Sequence, residues 1–179
     1  MGKKVSVRML TEGGMMLALA VLLNQFKIYQ APNGGSISAG SMIPIMIFAL
    51  RWGIGPGLVV GGTYGLLDFI FKPYFYHPIQ FILDYILAYG LLGLAGIGYD
   101  KDNNKPTSSM VIGVIVAIGG RMISHVLSGV VFFAEYAGDQ NPWIYSILYN
   151  ATYLVPELII SLVVLLLIWK PLKKVLNNK

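Results

Sequence analysis

The chain has 179 residues, of which 56% are hydrophobic and only 12% are charged. Soluble domains carry about 25% charged residues, so this composition excludes an ordinary soluble protein and predicts several membrane spans. The sequence contains no cysteine, which excludes disulfides and thiolate metal sites. Its net charge of +5 comes from terminal and loop Lys and Arg, which indicates membrane topology rather than a nucleic-acid-binding surface. We therefore expect one integral membrane domain, residues 1–179, surrounded by lipid and without a nucleic-acid partner.

Six apolar segments are separated by glycine, proline and charged residues. They cover residues about 9–25, 37–50, 54–71, 78–98, 108–134 and 143–169. The first follows a basic N-terminus but lacks a small-x-small cleavage site, so we interpret it as a membrane helix rather than a signal peptide. The second is short and contains Pro44, which predicts a tilted, kinked or partly spanning helix. The sequence thus predicts an all-α membrane protein with a bundle of six transmembrane helices.

Loop charges predict the orientation of this bundle. If the N-terminus is inside, two Lys or Arg residues, Lys27 and Lys72, lie on the outer side and ten on the inner side. The ten are Lys3, Lys4, Arg8, Arg51, Lys101, Lys105, Lys170, Lys173, Lys174 and Lys179. This excess satisfies the positive-inside rule, so we expect both termini in the cytoplasm. The outer loops are then about 26–36, 72–77 and 135–142.

The first segment carries two small residues four apart, Gly14 and Ala18. Small residues at this spacing let helices approach closely in lipid. Ordinary packing inside the bundle and a docking face for another membrane subunit both account for the pattern.

The fourth segment contains an acid, Asp84, with the amide of Gln80 one turn before it. A carboxylate at bilayer depth costs roughly 2.5–3.5 kcal/mol, so a partner or a ligand is expected beside it. A hydrogen bond to a neighbouring helix, or an ion pair with Arg121, satisfies that requirement as well as a ligand does.

The fifth and sixth segments supply further polar side chains. Arg121 and His125 are four residues apart and lie on one helical face, although His125 can simply bond a neighbouring helix. Asn150 follows Tyr145 in the sixth segment, and an amide in hydrocarbon needs partners. One carboxylate, two amides, an imidazole and several aromatic rings near the outer face suit a small, flat, cationic heterocycle.

Two motif absences bear on enzyme function. The only two histidines, His77 and His125, lie on different segments, so no H-E-x-x-H zinc helix exists. No G-x-x-x-x-G-K-[ST] phosphate loop occurs, which excludes ATP hydrolysis by that route. We expect a protein that is not an enzyme and that holds no metal or cofactor of its own.

The chain resembles the thiamine-specific S components of energy-coupling factor (ECF) transporters over nearly its full length. The resemblance rests on RMLTEGGMMLALA, GGSIS with MIPI, LRWGIGPGLVVGG, HPIQFILDYILAYGLLGLAG and YSILYN. It implies a six-helix subunit of the bacterial cell membrane that captures thiamine at the extracellular side. It also implies partnership with a transmembrane coupling subunit and two ATPases that use the ATP. A stand-alone ion-coupled carrier and an S component for another vitamin or a thiamine precursor are the alternatives.

The resemblance also implies roles for individual residues. The acid that meets the thiamine cation falls on Asp84, where some members have Glu, and helix 1 would dock through Gly14 and Ala18. A family tryptophan corresponds to Phe133, which keeps a stacking face but loses the indole N–H. The full set of predicted substrate-binding residues is Tyr74, Gln80, Asp84, Tyr85, Arg121, His125, Phe133, Tyr145 and Asn150.

Overall fold

Six helices make up most of the structure, a computed structural model that describes residues 5–32, 34–99 and 106–177. They are α1 (Val7–Gln25), α2 (Ile43–Trp52), α3 (Ile54–Phe71), α4 (Pro78–Gly98), α5 (Thr107–Phe132) and α6 (Pro142–Asn177). A hairpin of β1 (Lys27–Gln30) and β2 (Ser36–Ser38) follows α1, and a 3₁₀ turn (Ala134–Ala137) precedes α6.

The surface of the bundle is apolar. Among the described residues, five helices are long and apolar enough to cross a bilayer, namely α1 and α3 to α6. Large hydrophobic side chains point away from the protein on several of them, for example Val59, Ile70 and Leu167, which are 69%, 69% and 77% exposed. Contiguous exposed apolar surface of this kind is unfavourable in water, so the helices face lipid. The predicted helical membrane protein is confirmed.

Short sequence signals begin and separate the helices. The Ser6 side chain accepts a hydrogen bond from the Met9 amide at the start of α1, as N-capping residues do. At α4 the His77 ring caps the Ile79 amide, and Pro78 occupies the first turn, where its missing N–H costs nothing. Gly53 separates α2 from α3 with a φ of +93°, a conformation that residues other than glycine rarely adopt.

Helix α2 differs from the predicted second segment of about 37–50. Residues 36–38 form strand β2, and the helix begins only at Ile43, with Pro44 in its first turn. Its ten residues reach about 15 Å, half of a ~30 Å hydrocarbon core. Ile45, Met46 and Ala49 are fully buried, so α2 is a partly spanning helix enclosed by the other helices.

Helix α4 is irregular and lies very close to α3. Ile82–Leu87 form a π-helical turn and Leu91–Gly98 a 3₁₀ stretch; π turns inside helices occur frequently at functional sites. Gly57, Gly61 and Gly65 of α3, spaced by four, face the backbone of α4. A Cβ atom at Gly61 would lie 2.2 Å from the Tyr89 carbonyl oxygen, so only glycine permits this approach.

Small residues on α1 divide into an inner and an outer set. Gly13 and Ala20 are buried, and a Cβ atom at Gly13 would contact Phe48 and Val60. Gly14 and Ala18 are exposed on the opposite side, and no atom lies within 4 Å of a Cβ position at Gly14. Packing inside the bundle therefore does not explain the predicted Gly14-x-x-x-Ala18 pair in this chain.

Charged residues meet at opposite ends of the bundle. At one end Glu12 accepts from Arg8 (3.0 Å) and pairs with Arg51 (2.6 Å). Lys27 and Lys72 lie together at the other end. This separation agrees with the predicted inner and outer loops, and the cytoplasmic position of the termini stays a prediction. Five of the lysines counted for the orientation lie outside the described residues: Lys3, Lys4, Lys101, Lys105 and Lys179.

Helix α6 is longer than the predicted 143–169. It continues to Asn177 through Pro171 and three lysines, which the sequence pattern treats as the end of an apolar span. A helix of 36 residues extends about 54 Å, so it projects well beyond a bilayer at the end where Arg8 and Arg51 lie.

Candidate functional site

A cavity of about 380 Å³ opens at the end of the bundle where Lys27 and Lys72 lie. Its volume is within the range of about 300–1,000 Å³ typical of small-molecule sites. The C-terminal end of α3, the first turns of α4 and α6 and the last turns of α5 contribute to its walls. The structure brings all nine predicted substrate-binding residues to this cavity: Tyr74, Gln80, Asp84, Tyr85, Arg121, His125, Phe133, Tyr145 and Asn150.

Asp84 lies in the π-helical turn of α4 and accepts three hydrogen bonds. Gln80 Nε2 and Ser128 Oγ both donate to Asp84 Oδ2 over 2.7 Å, and His125 Nδ1 lies 3.0 Å from Asp84 Oδ1. The carboxylate remains 18% exposed on the cavity side. It is therefore held by partners from α4 and α5 while one face stays open to a ligand.

His125 links Asp84 to Arg121. Arg121 Nε donates to His125 Nε2 over 3.2 Å, so Nε2 carries no proton and Nδ1–H donates to Asp84. The imidazole is thus neutral in this arrangement, and it leaves the charge of Asp84 uncompensated. Arg121 itself stacks on the Tyr89 ring at 4.1 Å from its centroid. Among the described residues Arg121 forms no ion pair with a carboxylate, so the alternative of an Arg121–Asp84 pair is wrong for this structure.

Gln80 holds the loop of residues 72–77 against α4. Its Oε1 accepts from the Tyr76 amide over 3.1 Å, and its fully buried side chain also reaches the Tyr74 carbonyl over 3.4 Å. Tyr85 adds to this anchoring, because its hydroxyl accepts from the Tyr74 amide and donates to the Lys72 carbonyl, each over 3.1 Å. The amide of Gln80 therefore positions the loop and Asp84, and most of its hydrogen-bonding capacity is already used.

Asn150 lies on the opposite wall, in α6. Its amide donates to the Ser146 carbonyl over 2.8 Å and to Ser146 Oγ over 3.3 Å, and its oxygen accepts from the Tyr153 hydroxyl. Tyr153 packs edge-on against His125 at 6.2 Å between ring centroids. These contacts satisfy the amide that the sequence left without partners and connect it to the Asp84 network.

Aromatic rings form the outer rim of the cavity. Phe133 lies 5.9 Å from Tyr74 and 6.1 Å from Tyr136 between centroids, and Tyr145 stacks on Tyr149 at 6.2 Å with an angle of 13° between the rings. Burial and a hydrogen bond with Tyr136 raise the pKa of Tyr74, so its phenol stays neutral. Such faces suit a flat cationic ring.

A second carboxylate, Asp68, lines the same cavity. Its oxygens accept from Asn24 Nδ2 over 2.7 Å and from the Tyr89 hydroxyl over 2.8 Å. The predicted inventory of one carboxylate is therefore wrong. The cost of a charge inside the apolar run LLDFIF is the same signal that singled out Asp84, and it was sufficient to find Asp68.

The β1–β2 hairpin covers one side of the cavity with Gln30, Gly34, Gly35 and Ser36. Its strand β2 is anchored to α6, because Glu157 Oε1 accepts from the Ser38 amide (2.6 Å) and from Ser38 Oγ (2.8 Å). Ser146, Asn150, Tyr153 and Glu157 are spaced by four, three and four residues along α6. The first three line the cavity, whereas Glu157 holds the hairpin. The hairpin lies there because Ser38 and Glu157, which are distant in sequence, bond to each other. The periodicity of the sequence did not predict this hairpin.

The arrangement of these side chains suits ligand binding rather than catalysis. It combines an uncompensated carboxylate, amides fixed by neighbours and neutral aromatic rings in an enclosed site. Within residues 5–32, 34–99 and 106–177, no three side chains of the His, Asp or Glu type group as metal ligands do.

Comparisons with known proteins identify the family of this chain. Residues 10–177 match the family described as thiamine transporter protein. The thiamine transporter ThiT of Bacillus subtilis strain 168 is 37% identical over 181 residues, with 94% of each chain covered. ThiT of Lacticaseibacillus paracasei is 29% identical over 136 residues, covering 69% of this chain and 68% of its own.

A solved structure supports the fold independently. ThiT from Listeria monocytogenes superposes with a TM-score of 0.83 over 95% of this chain and 97% of its own, at 24% sequence identity. That likeness shows the six-helix architecture alone. The family match and the identity to the Bacillus subtilis protein confirm the resemblance at the level of family, and they show that this chain belongs to the thiamine transporter proteins, multi-pass proteins of the bacterial cell membrane that act in transport and not in catalysis.

Proposed function

We propose that the protein is the thiamine-binding subunit of an ECF-type uptake transporter. It captures thiamine on the extracellular side and delivers it inward together with a coupling subunit and two ATPases. The names of the matched relatives support thiamine as the substrate. The absence of a phosphate loop from the sequence supports ATP hydrolysis by separate subunits.

The state of Asp84 is the observation that carries this proposal. Its partners Gln80, Ser128 and His125 are neutral donors, so a full negative charge faces an aromatic cavity. The thiazolium ring of thiamine carries the complementary charge, and Phe133 and Tyr74 offer faces on which such a ring can stack. Asn150 and Ser146 line the other wall, and we expect them to meet the polar edge of the aminopyrimidine.

Binding by the isolated chain tests the proposal directly. We expect the detergent-purified protein to bind one thiamine per chain in calorimetry, more tightly than hydroxymethyl-pyrimidine or another vitamin. Tighter binding of the pyrimidine alone would instead identify a precursor-binding subunit. Concentrative uptake by this chain alone in liposomes, driven by a proton or sodium gradient, would identify a stand-alone carrier.

The outward pair on α1 provides a separate prediction about the partner. We propose that Gly14 and Ala18 dock the coupling subunit, because both face away from the bundle and leave the backbone of α1 accessible. The double substitution Gly14→Leu/Ala18→Leu is expected to abolish co-purification with that subunit while the isolated chain still binds thiamine. Gly119→Leu on α5, whose Cβ position is equally open, is the matched control. Complex formation by the double variant at wild-type yield would remove this face from the interface.

A further inference from the structure

Arg121 is a buried cation that, among the described residues, pairs with no carboxylate. It is 9% exposed, its Nε donates to His125, and its guanidinium lies over the Tyr89 ring. A cation taken out of water needs a compensating charge. Asp84 could supply that charge, because the His125 ring alone separates the two in the chain of hydrogen bonds. Whatever keeps Arg121 from Asp84 therefore decides whether Asp84 stays available to a ligand.

The Tyr89 ring connects Arg121 to a different acid. The guanidinium carbon lies 4.1 Å from the ring centroid, and the Tyr89 hydroxyl donates to Asp68 Oδ2 over 2.8 Å. A phenol that donates to a carboxylate gains electron density in its ring, which strengthens the attraction between the ring face and a cation. The charge of Asp68 also acts on Arg121. Asp68 therefore compensates the charge of Arg121 through the Tyr89 ring.

Asp68 is itself held by a residue of another helix. Asn24 Nδ2, at the end of α1, donates to Asp68 Oδ1 over 2.7 Å, and Asn24 is 8% exposed. The Asn24 amide and the Tyr89 hydroxyl are neutral donors, so the carboxylate keeps its charge. Tyr89 is 7% exposed and packs edge-on against Tyr64 at 4.8 Å between ring centroids. The acid and the ring therefore have little freedom to move away from Arg121.

Two other charged groups act in this region without replacing Asp68. Glu157 acts on Arg121, but its Oε1 accepts from Ser38 and holds the hairpin. Lys27 is attracted by Asp68, but it lies at the mouth of the cavity, beyond the end of α1. Asp68 is thus the acid that is connected to Arg121 through the ring on which Arg121 stacks.

We propose that Asp68 and Tyr89 are positioning residues that hold Arg121 away from Asp84. This inference rests on the proposed function, since it concerns the acid that meets the thiazolium cation. While Arg121 lies on Tyr89, its Nε–H fixes the tautomer of His125, and Asp84 keeps a full negative charge for the ligand. Without the charge of Asp68, Arg121 pairs with Asp84 and competes with the cation of the ligand.

A double-mutant cycle on the full-length purified chain tests this proposal by thiamine calorimetry. Asp68→Asn keeps an acceptor for the Tyr89 hydroxyl and removes the charge, and we expect the thiamine dissociation constant to rise by about tenfold. In a chain that already carries Arg121→Gln, the same substitution is expected to change the constant by less than about twofold, because no cation remains to compete. An Asp68 that is merely structural, or that attracts the ligand directly, would cost the same affinity in both backgrounds.

Tyr89→Phe is a second variant of the same contact. It keeps the ring beneath Arg121 and removes the hydroxyl that bonds Asp68, so we expect the thiamine dissociation constant to rise by about threefold. Tyr64→Phe is the matched control, because it also removes a buried hydroxyl, and this one bonds no carboxylate in the part of the chain that the structure describes. The control is expected to keep the wild-type constant. An equal loss in both variants would assign the effect to packing and overturn the positioning role.

The tautomer of His125 provides a readout that does not require thiamine. The chain contains two histidines, and His77 Nδ1 accepts from the Ile79 amide. Spectra of protein labelled with ¹⁵N-histidine, recorded at about pH 8, should therefore show two neutral rings of opposite tautomer. We expect the proton of His125 on Nδ1 alone in the wild type. In Asp68→Asn we expect it on both nitrogens, because Arg121 has left Nε2.

The other outcomes separate the positioning role from the proposed function. A wild-type dissociation constant for Asp68→Asn, or equal rises in both Arg121 backgrounds, would overturn the positioning role and leave the proposed function intact. Failure of the wild-type chain to bind thiamine would overturn the proposed function. The His125 spectra would then decide the positioning role, since an unchanged tautomer in Asp68→Asn contradicts it. Tyr89→Phe decides in the same way if Asp68→Asn does not fold.

Discussion

Replacement of Asp84 by Asn is expected to weaken thiamine binding by roughly 2–4 kcal/mol, about 30- to 1,000-fold in dissociation constant. The substitution keeps the size of the side chain and removes its charge. Its NH₂ group would face either Gln80 Nε2 and Ser128 Oγ or His125 Nδ1, and all three of these atoms donate to the carboxylate in the wild type. Ser128 can rotate its hydroxyl to accept, but Gln80 is fixed by the Tyr76 amide and cannot turn without losing that bond.

The loss should depend on the charge of the ligand. Thiamine carries the thiazolium cation, whereas hydroxymethyl-pyrimidine is neutral and has no group that needs the carboxylate charge. We therefore expect the Asp84→Asn variant to lose much less affinity for the neutral compound. Calorimetry with both ligands on wild type and variant measures the difference.

Asp139→Asn is the matched control for this prediction. Asp139 is an exposed acid between α5 and α6 that does not line the cavity, so its replacement changes the net charge of the protein equally and should leave thiamine binding as it was. Equal thiamine affinity in the Asp84→Asn protein would remove Asp84 from the binding site. An equal loss for both ligands would assign it a structural role through Gln80 and the loop.

The residues that the sequence made predictable are those that are costly in a membrane. Asp84, Arg121 and His125 stand out because a charge or an imidazole inside an apolar run needs a reason, and spacing by four placed two of them on one face. The structure brings these three into one chain of hydrogen bonds. Asp68 also lies inside an apolar run, so the same reasoning predicts it as a second acid of the site.

Other features depended on contacts that no local pattern encodes. The hairpin exists because β2 pairs with β1 and is held by Glu157, which lies 119 residues further along the chain. From the sequence, Lys27 and Lys72 contributed only to the prediction of membrane orientation. Their side chains interact because the ends of α1 and α3 lie close together in the fold, which the sequence pattern does not show. The start of α2 was predicted too early, because Ser36–Ser38 become a strand only through pairing with β1.

The glycines of α3 that face α4 have a structural role that their spacing in the sequence does not reveal. The glycines of α3 are common enough in membrane helices to predict little by themselves. In the structure they let α3 touch the backbone of α4 at Tyr85 and Tyr89. Tyr85 lies inside the π turn that presents Asp84 to the cavity, and Tyr89 follows two residues after the end of that turn. Helix packing and the binding site are thus connected through one stretch of backbone.

Gly61→Val is therefore expected to destabilise the protein and to disturb the site together. The new Cβ atom would lie 2.2 Å from the Tyr89 carbonyl oxygen and 3.1 Å from the Cα atom of Gly90, both of them backbone atoms that cannot turn aside. Helices α3 and α4 must separate, at a cost of roughly 2–3 kcal/mol, which corresponds to a fall of about 5–10 °C in melting temperature. The Tyr89 ring stacks on Arg121 and its hydroxyl donates to Asp68, so a shift of the Tyr89 backbone displaces both contacts.

Thermal unfolding in detergent and thiamine calorimetry on the same preparation measure the two effects. Gly119→Val is the matched control, because that glycine also lies within a membrane helix but has no atom within 4 Å of its Cβ position. It reports the cost of a β-branched residue in a helix without the clash. A melting temperature for Gly61→Val equal to that of the control would show that α3 and α4 tolerate separation. A lower melting temperature with unchanged thiamine affinity would show that the π turn holds Asp84 in place without the close contact to α3.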